Sequence, residues 1–219
     1  MDLIFHDRRE AGRILASHLR NYTGREDVIV LGLARGGVPV AFEVARQIGV
    51  PLDVFVVRKL GVPGHEELAM GAIASGGVRV LNPSVMRCLN EPERALAAST
   101  LEQTRELTRR EADYREGRSP LALRGQTAIL VDDGLATGAS MRAAIAALRQ
   151  QGVARIVVAV PVAAPEICEE FEDEVDEFIC ASKPSYFHSV GEFYKDFSQT
   201  TDEEVRELLA RAEADLKGK

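Results

Sequence analysis

Apolar and polar positions alternate along this chain with two periods, which divide it into helical and extended segments in a regular order. Asp7 and Glu10 have capping-box spacing ahead of a helix through Leu19, with Ile14, Leu15 and Leu19 on its apolar side. Asp27 to Leu33 is a short apolar run and predicts the first strand. Val38 to Ile48 predicts a helix ended by Gly49, and Leu52 to Val57 the next strand, so residues 27–57 form one βαβ unit. A right-handed crossover and a parallel sheet follow from that order. Gly71 to Ser75 and Val78 to Leu81 flank Gly76-Gly77, a hairpin signal.

From Asn82 to Arg118 the character changes to mostly polar. Pro83 can begin a short helix, and Asn90 with Glu93 caps a longer one through about Tyr114. Leu96, Thr100, Gln103, Leu107 and Tyr114 give it only a thin apolar stripe. Residues 82–118 therefore predict a helical insertion, resting on the sheet or packing against a second subunit. Further on, Ala128 to Val131 reads as a buried strand and Ala139 to Gln151 as an alanine-rich helix stopped by Gly152. Residues 155–162 and 175–181 predict two more strands around a short helix from Pro165 to Phe171. Thr201 and Glu204 cap a final amphipathic helix.

At 219 residues the chain fits one large domain or a domain with an insertion, and would bury about 70% of its unfolded surface. It lacks a run of roughly 20 apolar residues, and its start has no basic region followed by an apolar one. The expectation is a cytoplasmic protein without a membrane partner. Cys88, Cys168 and Cys180 are odd in number and widely spaced, against both a disulfide framework and a zinc site, so they read as small packing residues. A net charge of -7 disfavours nucleic acid as a partner. It does not disfavour an anionic small molecule, because hydrogen bonds to a phosphate contribute about 1.5–3 kcal/mol each and distant charges are screened beyond roughly 8 Å.

The most informative run is Ala128-Ile-Leu-Val-Asp-Asp-Gly-Leu-Ala-Thr-Gly-Ala-Ser140. It sets Asp132 and Asp133 at the carboxyl end of a buried strand, where open α/β sheets bind ligands. Gly134 and Gly138 admit close backbone approach, and Thr137 and Ser140 offer hydroxyls beside the unpaired N–H groups of a helix start. Carboxylates there can accept from vicinal hydroxyls, and the loop suits a dianionic phosphate. Capping acids and an ordinary strand-to-helix turn are the other reading of the same residues.

This segment resembles the phosphoribosyl pyrophosphate (PRPP) motif of type I phosphoribosyltransferases: four apolar residues, two acids, then a loop ending Thr-Gly-x-Ser/Thr. The resemblance implies an α/β fold, a mainly parallel twisted sheet flanked by helices, with the helical insertion and a small C-terminal hood at about residues 182–200. It implies that Asp132 and Asp133 contact the ribose 2′ and 3′ hydroxyls. Gly134, Leu135, Ala136, Thr137, Gly138, Ala139 and Ser140 would hold the 5′-phosphate. Mg²⁺ is implied too, bound mainly by diphosphate and ribose oxygens, with Asp132 and Asp133 assisting directly or through water. The partners are PRPP and a small-molecule acceptor, with a homodimer common in the family. Relatives acting on 6-oxopurines carry a general-base aspartate three residues after the second acid, where this chain has Ala136. That departure brings the motif nearer those of the adenine and uracil enzymes.

Leu31-Gly-Leu-Ala-Arg-Gly-Gly37 is a second glycine-rich strand end, and it fits neither the dinucleotide fingerprint nor a nucleotide-triphosphatase P-loop. It resembles the pyrophosphate loop of the same family, which often has a non-proline cis peptide; a plain tight turn is the alternative. Arg35 and the N–H groups of Gly36 and Gly37 would then meet the diphosphate. Arg58 and Lys59 end the strand 52–57, where relatives have a basic pair next to a mobile loop, and residues 60–70 have the glycines and polarity of such a loop. His65, Glu66 or Glu67 within it could assist proton transfer. Tyr186 or Phe187, in Pro184-Ser-Tyr-Phe-His-Ser-Val-Gly191, offers a face on which a flat heterocycle could stack, or packs in the core. Residues 192–197, with Asp196, could close over the same pocket.

The implied reaction is transfer of the 5-phosphoribosyl group from PRPP to a nitrogen nucleophile, a nucleobase, with release of pyrophosphate. Arg35, Arg58, Lys59, Mg²⁺ and the loop amides would stabilise the leaving-group charge. Two other readings stay open: a non-catalytic regulator that senses PRPP, and a hydrolase of a phosphorylated sugar.

Overall fold

The computed structural model describes residues 3–120 and 122–218, with the side chain of Glu67 outside that description. The chain opens with α1 (Arg8–Ala16) and continues through β1 (Val28–Leu33), α2 (Gly37–Ile48) and β2 (Leu52–Phe55), which form the expected βαβ unit. An antiparallel stretch follows, β3 (Val57–Val62), β4 (His65–Ala74) and β5 (Val78–Leu81), then α3 (Pro83–Met86) and the long α4 (Pro92–Arg115). Strand and helix then alternate through β6 (Thr127–Val131), α5 (Ala139–Gln150), β7 (Arg155–Val162), α6 (Pro165–Glu174) and β8 (Glu177–Ser182), before α7 (Asp202–Lys217).

Five strands form one sheet in the order β2-β1-β6-β7-β8, with every neighbour parallel. Alternate side chains of its central strands point to opposite faces, as the pleat demands. Ile29, Leu31, Leu130, Val158 and Val160 pack under Met141, Ile145 and Leu148 of α5 and Phe171 of α6. Val28, Val30, Ile129, Val131 and Val157 pack under Leu15 of α1 and Val40, Val44 and Ile48 of α2. Burial on both faces is why these strands read as continuous apolar runs. From the central pair the chain travels outward in opposite directions, β1 to β2 and β6 to β7 to β8. The carboxyl ends of β1 and β6 thus flank the switch point of the sheet, where a crevice opens.

The strand expected over 52–57 breaks at Val56, and the mobile loop expected over 60–70 is instead a hairpin. Arg58 and Lys59 therefore sit inside β3, paired with Ile73 and Ala72, and do not end a strand. Register shifts at Leu60/Gly61 and Gly61/Val62 interrupt the alternation, which is why the segment reads as a loop. The hairpin expected over 71–81 is present as β4 and β5. Helix α1 stops at Ala16, and a single 3-10 turn over Arg20–Tyr22 follows. Its cap is as expected: the Asp7 carboxylate accepts from the Glu10 N–H at 2.7 Å, and Glu10 reaches back to the His6 N–H. Helix α4 begins at Pro92 without a side-chain cap, so Asn90 and Glu93 do not close it. Cys88 is exposed, which leaves only Cys168 and Cys180 as packing residues. No helix among the described residues is long and apolar enough to cross a membrane.

A further core lies between the three-stranded sheet β3-β4-β5, α4 and α7, built on Leu60, Met70, Ile73, Leu107, Tyr114 and Leu208. Tyr114 is fully buried, and its hydroxyl donates to Asp202 at 2.7 Å. Burial first, and the Asp202 carboxylate second, push this phenol up to about 12. An unfolded tyrosine titrates near about 10, so the stability tied to this proton is fully present below that pH and is lost as pH rises through the folded value. Tyr114→Phe is expected to cost about 1 kcal/mol at neutral pH and to flatten the alkaline limb of the stability profile, which thermal melts in alkaline buffers would read.

Candidate active site

Strand β6 ends at Val131, and Asp132 and Asp133 come next at the switch point. Gly138 takes a left-handed conformation, φ 68°, and α5 starts behind it with no side chain capping its first turn. Amides of that turn are thus free to meet an anion. Ala136, Thr137, Ala139 and Ser140 are exposed, while Leu135 is buried, its N–H bonded to the Val162 carbonyl at 3.0 Å. Arg142 steadies the loop by donating to the Thr137 carbonyl at 2.9 Å.

Beside it, β1 runs in register with β6, Gly32 opposite Val131, so the loop after β1 lies against the loop after β6. The Ala34–Arg35 peptide is cis, as the resemblance implies. Gly36 and Gly37 make the contact between the loops. A Cβ at Gly36 would fall 2.2 Å from an Asp133 carboxylate oxygen, and one at Gly37 would fall 2.5 Å from the Val131 carbonyl. No side chain fits at either position without displacing the acid pair.

The two acids are not equivalent. Asp132 accepts the Asp133 N–H at 2.9 Å, and burial, followed by the neighbouring Asp133 charge, holds its carboxyl well above the usual range. Asp133 is raised by burial too, but Arg8 opposes this, its Nε donating to the carboxylate at 2.9 Å. The Asp133 carbonyl accepts from the Tyr194 hydroxyl at 2.6 Å. Arg8 in turn donates to the Ser198 carbonyl at 2.7 Å and lies 4.1 Å from the centre of the Phe197 ring. Two carboxyls that resist joint ionisation favour a site where hydroxyl donors or a cation arrive with the ligand. The described residues hold no cluster of three or more His, Cys, Asp or Glu suited to a metal. Hard carboxylate oxygens on two adjacent residues fit Mg²⁺ that arrives on a diphosphate, since that ion needs only one or two protein carboxylates.

The candidate cations are divided. Arg35 lies 3.6 Å from Asp202, the same carboxylate that holds Tyr114. Arg58 and Lys59 line a cavity of about 600 Å³ that also meets Glu66, Ser99, Gln103 and Ser140. The structure therefore brings the basic pair of β3 and the end of the loop after β6 into one space, while Asp132, Asp133, Gly36 and Gly37 form a second cluster at the switch point. Glu66 is exposed and accepts the Gly64 N–H at 3.1 Å; backbone N–H groups hold its carboxyl below the usual range, which keeps it ionised. His65 is exposed as well. Glu67 lies in β4, and its side chain is outside the described residues. Phe187 stacks on Phe193 with ring centres 5.4 Å apart, next to the core of Phe5 and Val162, whereas Tyr186 is 83% exposed. Arg8, Gln103, Tyr194 and Asp202 are site neighbours that the sequence does not announce, since each acts across a long chain separation.

A family model described as "Phosphoribosyl transferase domain" matches residues 5–197. Two curated proteins, from two strains of Mycobacterium tuberculosis, are each 48% identical over 213 residues and bear the name "Putative phosphoribosyl transferase". The match covers 97% of this chain and 48% of theirs, so the chain spans about half the length of the curated relatives it matches. The crystal structure of TT1426 from Thermus thermophilus is 45% identical with a TM-score of 0.83, over 95% of this chain and 99% of that one. On the extent of the family match and the identity to these relatives, this chain belongs to the phosphoribosyl transferase domain family.

Proposed function

We propose that this protein transfers the 5-phosphoribosyl group of PRPP to a nitrogen nucleophile, a nucleobase, and releases pyrophosphate. The observation that carries this reading is the contact between Gly36–Gly37 and Asp132–Asp133, which sets the loop for a diphosphate against the acids for a ribose at van der Waals distance. One activated sugar phosphate spans both. Asp132 and Asp133 accept from the ribose 2′ and 3′ hydroxyls. Amides of residues 134–140, with the Thr137 and Ser140 hydroxyls, hold the 5′-phosphate. The bond from C1′ to the diphosphate oxygen breaks while the nitrogen attacks from the opposite side. Arg35, Arg58, Lys59 and the Gly36 and Gly37 amides meet the charge that grows on the leaving oxygens. Mg²⁺, when bound, would supply further charge neutralisation to the diphosphate, and Asp132 and Asp133 would help hold it directly or through water. Glu66 or Glu67 takes the proton from the acceptor, and Tyr186 or Phe187 lies along its plane. Residues 1–219 act as one phosphoribosyltransferase-like unit, with an insertion near 82–118 and a hood near 182–200, assembled as a homodimer in the cytoplasm.

The test is a panel of nucleobases incubated with PRPP and Mg²⁺ and monitored for pyrophosphate. Release is expected with at least one base and to depend on it, with adenine or uracil favoured over the 6-oxopurines because Ala136 replaces their general base. PRPP binding without release for any acceptor would instead mark a sensor. Ribose or phosphate appearing with no base added would mark a hydrolase.

A further inference from the structure

Helix α4 has an inward stripe that changes character along its length. Toward its C-terminal end the stripe is Leu107 and Tyr114, both buried in the core that β3, β4 and α7 share. Between Leu107 and the N-terminal residues Ala95 and Leu96, which also pack on that core, the same side carries Gln103, Thr100 and Ser99, at helical spacing from Leu107. Ser99 is buried, yet it and Gln103 line the cavity that holds Arg58 and Lys59. An inward polar face is costly against a core and favourable against a polar ligand.

Two contacts tie that helix to the candidate cations. Gln103 accepts from the Arg58 Nε at 3.0 Å, and among the described residues no carboxylate pairs with Arg58, so the two terminal nitrogens of its guanidinium keep their donors and their charge. Tyr114 donates to Asp202, which lies 3.6 Å from Arg35. Two arginines of α4 itself contrast with this: Arg109 and Arg110 both pair with Glu106. A neutral amide fixes a guanidinium without cancelling it, and an arginine already fixed loses less freedom when a phosphate arrives.

We propose that α4 is a wall of the ligand cavity and that Gln103 is a positioning residue, holding Arg58 so that its terminal nitrogens face a diphosphate. This rests on the phosphoribosyl-transfer reading. The probes are inorganic pyrophosphate, PRPP and ribose 5-phosphate, each titrated with Mg²⁺ by calorimetry into the full chain. Gln103→Leu is expected to weaken pyrophosphate and PRPP about tenfold, the effect of one hydrogen bond to a charged group. Ribose 5-phosphate lacks the diphosphate and should lose less than either, although Ser140 borders the same cavity, and the melting temperature should not move. Added to Arg58→Ala, the same substitution should cost nothing more. Unchanged pyrophosphate affinity, an equal loss for ribose 5-phosphate, or a further loss in the Arg58→Ala background would each overturn the assignment. If the unaltered protein binds neither PRPP nor pyrophosphate, the phosphoribosyl reading fails and this inference with it. If it binds both and Gln103→Leu binds them equally well, the inference fails alone.

Discussion

Replacing Asp132 and Asp133 together with Asn is expected to weaken PRPP binding on the order of a hundredfold to ten-thousandfold without unfolding the protein. Each acid is proposed to accept one ribose hydroxyl, and a charge-assisted bond of that kind contributes about 1.5–3 kcal/mol. Asn keeps the shape and one acceptor oxygen, so the loss reports charge and not packing. The single variants should separate in stability. Asp132 has a folded pKa raised by burial and by Asp133, so its contribution is present below its unfolded value and is lost as pH rises through the folded one. Asp132→Asn removes that burden and should melt higher than the unaltered protein at neutral pH. Asp133→Asn also sheds a burial cost, but it takes the counter-charge from Arg8, so it should gain less than Asp132→Asn. Calorimetric titration with PRPP and Mg²⁺ reads the first effect, and melts from acid to neutral pH read the second. Retained PRPP affinity in the double variant would remove the ribose assignment.

The legible parts of this protein are those whose causes are local. Strands β1, β6 and β7 bury both faces, so an apolar run suffices to mark them. The loop between β6 and α5 is legible as a strand-to-helix turn because acid, glycine, threonine and helix start lie within one short run, 132–140, and the family is legible because that run resembles a known motif. Hairpin β3-β4 is not, since its glycines and register shifts imitate a loop while its backbone pairs across the turn. The sequence pattern also hides which cations share a cavity. Arg58 meets Gln103 across 45 positions, and Arg8 meets Asp133 across 125. Neither pairing leaves a periodic trace, because each depends on where whole elements dock. Thr100 and Gln103 interrupt the apolar stripe of α4 between Leu96 and Leu107, both packed on one core, and Gln103 with the neighbouring Ser99 borders a cavity there.

Arg8→Ala should be the most destabilising single change at the site. Its side chain is 11% exposed and that of Asp133 15%, so the pair is largely out of water. Removing one partner of a buried pair leaves the other charge uncompensated, which costs about 3–5 kcal/mol. Stacking on Phe197 and the bond to the Ser198 carbonyl go with it, and these tie α1 to the segment before α7. In a chain of this length that cost lowers the melting temperature by roughly 6–20 °C. The loss should shrink in acid, where Asp133 is protonated and needs no partner; its folded pKa, already raised by burial, will rise further once Arg8 is gone. Arg8→Ala combined with Asp133→Asn should therefore be more stable at neutral pH than Arg8→Ala alone, since the orphaned charge has been removed. Arg8→Lys should recover part of the stability, because an ammonium restores charge but not the planar contact with Phe197. If Arg8→Ala melts with the unaltered protein at every pH, water reaches the pair freely, and Asp133 is then held by its backbone and the Tyr194 hydroxyl, with no contribution from the N-terminal helix.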